Sequence, residues 1–361
     1  MTYEVLRYEP RFRDAVLDLQ VLLWGPELEL NDRYFEWKYE TNPWQRTPKL
    51  YLVLQDGTLI GMRGFFGSRW EAGSPTDTFD IPCAGDLVIK PEHRDRGVIT
   101  QLMRRVVEDE SNAPSPFFFN LSAGAPTRLA GLSLGWRDIG PVRQLRWERP
   151  KGLLDRVMKD KSKANVTGKG PFHEIDDHLQ RGTKLSASIE LSATPRPPEM
   201  SALVRQRGHD GRIRHVRDEA FFGWRFRHPR ADFRFFFHQS GTAIDAYLVL
   251  QARRTGDNDQ VKIVDSAGDA KALVPLLDLA LTEFGLRRVA CWRASLADIP
   301  EAELVRCGFT DVPVRSMAES FPTVMMLPNQ TAPSEMSWQL AGRDVREPGN
   351  WDLRQAYGDG S

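Results

Sequence analysis

The chain has 361 residues, more than one domain usually contains, and its 49 basic residues balance its 49 acidic ones. We therefore expect two domains and no general attraction to nucleic acid or to an anionic membrane surface. The few cysteines, Cys83, Cys291 and Cys307, suggest neither a disulfide framework nor a zinc site. The N-terminus does not resemble a signal peptide, and no stretch approaches 18 apolar residues, so we expect a cytoplasmic protein without a membrane span.

The first half is predicted to mix strands and helices around an early hairpin. Residues 12–23 have helical apolar spacing, and Asp56-Gly57 is a typical hairpin turn between two strands. The predicted elements are strands at 3–8, 50–55, 59–67, 84–89 and 117–120, and helices at 12–23, 98–110 and 126–134. This order predicts an α/β fold, that is, an α+β arrangement with helices beside a sheet of mixed strand direction.

Three short patterns occur twice in the chain, in the same order and at similar separations. They are Phe35-x-Trp37-Lys38-Tyr39 with Phe222-x-Trp224-Arg225-Phe226, the Gln-x-Gly-Thr turns at 55–58 and 239–242, and the glycine–aromatic corners at 135–143 and 308–315. The repeat predicts two copies of one fold. We place them at 1–149 and 184–330, joined by a basic polar linker at 150–183 and followed by a tail at 331–361.

Several aromatic residues outside the predicted strands could either pack in the interior or line a binding site. Trp37 and Trp224 are expected to pack in a core or between the two copies. Alternatively, Trp37, Tyr39 and Trp44 line an acceptor cleft. In the tail, Trp338 and Trp351 are candidates for docking back onto the domains.

Residues 84–100 combine a strand, a proline that ends it, a basic turn and the start of a helix. A helix start offers free N–H groups and partial positive charge, so it can hold an anion. Gly97 lets the backbone approach a ligand closely, and Arg94 and Arg96 add charge to the same turn. The segment therefore indicates a diphosphate site.

The same segment resembles the pyrophosphate motif of the GNAT superfamily of N-acetyltransferases, Arg/Gln-x-x-Gly-x-Gly/Ala. Here it reads Arg94-x-x-Gly97-x-Ile99, with an isoleucine where the family has a small residue, and Ile89-x-Pro91-Glu92-His93-Arg94 precedes it. The resemblance covers residues 3–148 well and 184–328 more weakly. It implies two tandem GNAT-like domains, each a twisted mixed sheet flanked by helices, as in proteins associated with polysaccharide and amino-sugar modification.

The resemblance implies acetyl-CoA or another acyl-CoA as co-substrate, no metal, and a small primary amine as acceptor, with an amino sugar as the leading candidate. It also implies a bulge near residues 87–89 that frees a backbone N–H for the thioester carbonyl. The implied coenzyme-binding residues are Leu87, Val88, Ile89, Arg94, Asp95, Arg96, Gly97, Val98, Ile99, Thr100 and Asn120.

Two residues are candidates for proton transfer. Asp86, just before the coenzyme turn, is the candidate general base, and a local ion pair is the alternative for this residue. Many family members have a tyrosine where this chain has Gly131, so the departing thiolate is left with water or Ser133 as its proton donor.

The second copy lacks the motif. Its corresponding strand, 260–264, runs into a turn without arginine, where Asp265 and Asp269 would repel a diphosphate. We therefore expect only the first copy to bind coenzyme A, with the second shaping the acceptor site or stabilising the first. Two alternatives remain: a Fem-type transferase that takes aminoacyl groups from transfer RNA through the basic linker, and a non-catalytic acyl-CoA-binding scaffold. The sequence does not decide the acyl chain length or whether the chain forms a homo-oligomer.

Overall fold

A computed structural model describes residues 2–111, 113–150, 170–182, 185–241, 243–253, 260–313, 323–330 and 333–358. Together they form two large mixed sheets with helices on their faces, as the sequence predicts. None of the helices in these ranges is long and apolar enough to cross a bilayer. The predicted basic cluster of the linker, at 151–169, lies outside the described residues.

The helices are short and amphipathic. They are α1 (Arg13–Trp24), α2 (Leu28–Phe35), α3 (Val98–Glu110), α4 (Ala125–Ser133), α5 (His173–Arg181), α6 (Pro197–Arg207), α7 (Glu219–Arg225), α8 (Ala270–Thr282) and α9 (Glu301–Arg306). A π-helical turn, Glu36–Glu40, continues α2. Helix α5 lies within the predicted linker, 150–183, where the sequence did not indicate a helix. Its acidic first turn and basic last turn complement the helix dipole.

The strands are longer than the sequence predicts in the central hairpin. They are β1 (Glu4–Arg7), β2 (Lys49–Gln55), β3 (Thr58–Ala72), β4 (Asp77–Ile89), β5 (Phe117–Ala123), β6 (Arg137–Pro141), β7 (Gln144–Glu148), β8 (Ile189–Ser192), β9 (Arg214–His215), β10 (Ala231–Ser240), β11 (Ala243–Arg253), β12 (Gln260–Gly268), β13 (Arg288–Trp292), β14 (Thr310–Asp311), β15 (Thr323–Pro328), β16 (Gln339–Leu340) and β17 (Arg343–Asp344).

The two halves exchange strands. The first sheet has the order β1-β2-β3-β4-β5-β15-β6, with β9 paired to β3, and the second has the order β14-β7-β13-β12-β11-β10-β8. Strand β15, from the second half, therefore lies between β5 and β6 of the first, and β7, from the first half, pairs with β13 and β14 of the second. Each sheet therefore contains a strand from the other half of the chain.

The repeated tryptophans meet where the halves join. The rings of Trp37 and Trp224 stack with centroids 4.6 Å apart and planes 3° from parallel. Each indole Nε1 donates to the other residue's carbonyl oxygen at 2.8 Å. This confirms the packing interpretation of the repeat, because stacking and both hydrogen bonds join the same position of the two copies. Both tryptophans also border a surface groove of about 520 Å³ between the halves.

The tail packs against both halves, as expected for Trp338 and Trp351, which are 6% and 4% exposed. The Trp351 ring contacts Phe119 of the first sheet, with centroids 5.1 Å apart. A few residues later, the Arg354 guanidinium donates to the Asp265 carboxylate of the second sheet at 3.2 Å. The last described segment is therefore part of the fold.

Candidate functional site

A bulge in β4 is the first element of the site. Met62 pairs with Val88 and Gly64 with Gly85, so Arg63 alone faces two residues, Asp86 and Leu87. Asp86, the first bulged residue, has a φ of 45°, in the left-handed region. The bulge thus begins one residue before the predicted segment, 87–89.

A cleft opens beyond the bulge because β4 and β5 diverge. These parallel strands pair at Cys83 and Phe119, and along their described lengths no other residues of β4 and β5 form a ladder pair. The gap leads into a cavity of about 510 Å³. It is lined by Leu22, Leu23, Leu87, Val88, Ile89, His93, Arg94, Asp95, Gly97, Val98, Ile99, Thr100, Thr127, Ala130, Ser133 and Leu134. Most of the predicted coenzyme-binding residues therefore meet around one cavity.

Two predicted coenzyme residues lie apart from this lining. Arg96 is in the turn but does not line the cavity. Asn120, which is 5% exposed, lines a small adjoining cavity together with Arg63, and the two cavities share Leu87 and Ile99. Asn120 thus lies at the inner end of the cleft.

The turn before α3 presents backbone amides to the cavity. Gly97 is the N-cap of α3 with a φ of 72°, and no side chain caps the helix. The first helical hydrogen bond runs from Gln101 N–H to the Gly97 carbonyl at 3.1 Å, so the helix itself does not use the N–H groups of residues 98–100. The Arg94 Nε donates to the Ile89 carbonyl at 3.1 Å, which fixes the turn to the end of β4.

The surroundings of Gly97 fit a diphosphate. A Cβ added at Gly97 would meet nothing within 4 Å, so the space above this amide is open to a ligand. The first turn of α3 contains no acidic residue that would repel an anion. Open amides, the positive end of the helix and Arg94 favour an anion, while Asp95 beside Arg94 contributes a negative charge to the same wall. The diphosphate site at this turn stays a prediction.

Asp86, the predicted base, lies in a buried ion pair. Its carboxylate accepts hydrogen bonds from Lys38 Nζ at 2.9 Å, Tyr39 Oη at 2.7 Å and Gln20 Nε2 at 3.2 Å. The side chains of Lys38 and Asp86 are both 0% exposed, and neither residue lines the cavity. In this structure Asp86 does not contact the space where an amine would bind, so its role as base stays a prediction.

The contacts of Asp86 were not foreseen from the sequence. Lys38 and Tyr39 belong to the repeated aromatic motif, but nothing in that motif indicates that they reach across the sheet to the bulge. The signal that the sequence does offer is a lysine among aromatic residues, Tyr34, Trp37 and Tyr39, which favours burial. The structure buries Lys38, and a buried ammonium needs a carboxylate partner.

Ser133, the predicted proton donor, does line the cavity. It is exposed at the end of α4, and its hydroxyl donates to the Ala130 carbonyl at 2.7 Å. The hydroxyl retains acceptor capacity toward a ligand. Its part in thiolate departure stays a prediction.

The corresponding opening in the second half is filled by the chain itself. The register between β11 and β12 shifts at Val264, directly before Asp265. The fully buried Asp265 carboxylate accepts from Arg217 Nη1 and Tyr247 Oη, each at 2.9 Å. The Ser295 hydroxyl donates to the Val264 carbonyl at 3.0 Å and accepts from the Gln355 N–H of the tail at 3.0 Å. That this half does not bind coenzyme A stays a prediction.

Comparison with known proteins agrees with this geometry. Residues 15–111, which include the bulge, the turn and α3, match the acetyltransferase (GNAT) family model. This part of the chain is a GNAT acetyltransferase domain. No curated protein sequence matches the chain.

Solved structures show that the tandem fold extends over most of the chain. A probable N-acyltransferase of unknown function from Enterococcus faecalis V583 has a TM-score of 0.57 at 10% identity, covering 91% of this chain and 73% of that one. A GCN5-related N-acetyltransferase from Anabaena variabilis has a TM-score of 0.56 at 13% identity, with the same coverage. A tandem GNAT protein from the clavulanic acid biosynthesis pathway has a TM-score of 0.53 at 14% identity, covering 92% of this chain and all of that one. At these identities the likeness concerns the fold.

Replacing Gly97 with alanine tests the anion site of the GNAT domain. We expect Gly97→Ala to weaken acetyl-CoA binding by about tenfold or more, roughly 1.4 kcal/mol, since the methyl group enters the open space above the amides. Gly57→Ala is the matched control, because Gly57 has a φ of 76° and equally open surroundings but lies in the β2–β3 turn. Both variants should lose similar stability, roughly 1–2 kcal/mol.

Isothermal titration calorimetry and denaturant unfolding measure the two effects. Equal acetyl-CoA affinity in Gly97→Ala and Gly57→Ala would contradict an anion site at this turn.

Proposed function

We propose that the chain is an acyl-CoA-dependent N-acyltransferase that transfers an acyl group, acetyl in the first instance, to a small primary amine. The observation that carries the proposal is the uncapped start of α3 at Gly97, which opens into the cleft beside the bulged strand β4. An amino sugar as acceptor rests on the family resemblance alone.

The turn and the strand can hold the two ends of the coenzyme arm. The amides at the start of α3, with Arg94 beside them, would bind the diphosphate. The arm would then follow β4 toward the bulge. The Lys90 N–H donates to the Ile60 carbonyl of β3 at 2.8 Å, and peptide groups alternate sides along a strand, so the Ile89 N–H points away from β3 and toward the cleft.

An N–H in this position can stabilise the thioester carbonyl as negative charge develops on its oxygen. One such donor is typically worth about 2.7–4 kcal/mol of transition-state stabilisation. The amine nitrogen forms a bond to the carbonyl carbon, the carbon–sulfur bond breaks, the amine passes its proton to water, and the departing sulfur takes a proton. Ser133 lines the cavity, and we propose that its hydroxyl, turned away from the Ala130 carbonyl, passes a proton from water to the sulfur and is reprotonated by that water.

A thiol-release assay with acetyl-CoA and a panel of amines tests the proposed activity. We expect release of free thiol that depends on the amine, together with acetyl-CoA binding by calorimetry. Binding without thiol release for any amine would contradict transferase activity and support the scaffold alternative. Thiol release that is abolished in Gly97→Ala and retained in Gly57→Ala would tie the activity to the turn.

We further propose that Asp86 acts on the reaction by positioning the bulge. Asp86→Asn leaves the Lys38 ammonium buried without its charged partner, so it should lower the free energy of unfolding by about 3–5 kcal/mol. The double variant Lys38→Met/Asp86→Asn removes both charges. We expect it to be more stable than Asp86→Asn and to regain turnover to within about tenfold of the wild type.

Turnover, stability and acetyl-CoA affinity are measured together in these variants. A double variant that folds and binds acetyl-CoA normally, turns over at least about 100-fold more slowly and loses the acidic limb of the wild-type pH–rate profile would contradict the positioning role. It would favour Asp86 as the base, since a positioned base contributes roughly 10²–10⁴-fold and produces that limb.

A further inference from the structure

We infer that the acceptor is a primary amine carried on an apolar chain or ring, held by the leucines at the end of α1. This inference rests on the proposed function and specifies its substrate class.

Two leucines of α1 line the cavity while remaining open to solvent. Leu22 is 50% exposed and Leu23 is 36% exposed, and both lie in the cavity wall. Leu129 of α4, which lies between the lining residues Thr127 and Ala130, is 66% exposed. Large apolar side chains exposed around a cavity are typical of a surface that a ligand covers.

These leucines approach the cleft from the side opposite the phosphate turn. Val16 and Leu19 of α1 pack in the core on one face of the first sheet. Val98, Leu102 and Val106 of α3 pack in a separate core on the other face. A coenzyme arm that enters from α3 and passes between β4 and β5 would therefore present its thioester toward Leu22 and Leu23. That side is where the acceptor must approach.

The chemistry of the lining opposes a strongly polar acceptor. The ionisable residues of the cavity wall are His93, Arg94 and Asp95, all in the turn before α3. Among lining residues outside that turn, the polar ones are Thr100, Thr127 and Ser133, and the Ser133 hydroxyl already donates to a backbone carbonyl. An amino sugar would find few hydrogen-bond partners beside the leucines, since Arg63 and Asn120 lie in the small adjoining cavity. The carboxylate of this wall, Asp95, lies beside Arg94 in the turn, away from the second charge of a polyamine held by the leucines. The apolar part of an alkyl or aryl amine has no hydrogen bonds to lose when it packs against the leucines.

A series of straight-chain amines tests the inference. With acetyl-CoA held saturating, we expect kcat/KM to rise about two- to fourfold per methylene from propylamine to hexylamine, fourfold being the value for a fully buried methylene. Hexylamine should exceed glucosamine and putrescine by at least about tenfold, the gain from burying two methylenes.

Leu22→Ser should flatten the dependence on amine chain length without changing acetyl-CoA affinity. Leu28→Ser is the matched control, since Leu28 is 49% exposed on the neighbouring α2 but does not line the cavity. It should retain the wild-type dependence. Both replacements are at exposed positions, so both variants should fold.

Three outcomes would overturn the inference. Glucosamine or putrescine acetylated faster than hexylamine would exclude an apolar acceptor while leaving the acyltransferase activity in place. If Leu22→Ser alters the dependence on acyl length from acetyl-CoA to octanoyl-CoA but not the dependence on amine length, the leucines hold the acyl chain. Thiol release that proceeds equally fast without any amine would contradict the proposed function and, with it, this inference.

Discussion

The parting of β4 from β5 at the Asp86 bulge is the constraint on which the rest of the site depends. A continuous pair of parallel strands would satisfy its backbone groups internally and leave no cleft. The bulge holds a non-glycine residue at positive φ, a conformation that persists only when its surroundings fix it. Here the surroundings are three hydrogen-bond donors on the buried carboxylate, including the Lys38 ammonium. Burying such an ion pair costs desolvation energy, so the pair adds little to the stability of the fold. We therefore interpret its role as fixing one backbone conformation at the bulge.

The two halves contain a similar arrangement, but it serves a different purpose in each. Each has a buried aspartate near a register shift in the strand beside the opening. Asp86 lies in the bulge of the first half, and Asp265 directly follows the bulged residue, Val264, in the second. In the first half the opening leads to a cavity beside an uncapped helix. In the second, Ser295 and the tail occupy it through hydrogen bonds. The exchanged strands and the Trp37–Trp224 stack then hold the open half against the filled one. The second half thus supports the first sheet through β15 while its own opening is closed.

Much of the site could be predicted because its signals are local in sequence. The turn from Pro91 to Gly97 is a short segment whose glycine, arginines and following helix have a single consistent interpretation, and the structure gathers most of its residues around one cavity. The repeat likewise predicted two copies of one fold and a packing role for Trp37 and Trp224, although not that the two rings stack on each other. What escaped prediction depends on distant residues. The hydrophobic pattern of β7 and β15 does not reveal which sheet each strand joins, because the pattern would be the same in either sheet. Strand exchange therefore could not be predicted from periodicity. The partners of Asp86 lie 47 and 48 residues away in Tyr39 and Lys38, so spacing alone could not connect them.

Amide hydrogen exchange with and without acetyl-CoA tests the central claim most directly. At saturating acetyl-CoA, about 100 times Kd, the account predicts slower exchange in the peptide spanning the start of α3, with stabilisation of up to about 2.7 kcal/mol. It also predicts unchanged exchange in the equivalent segment of the second half, residues 268–273. Unchanged exchange at the start of α3, or slowing confined to residues 268–273, would contradict it.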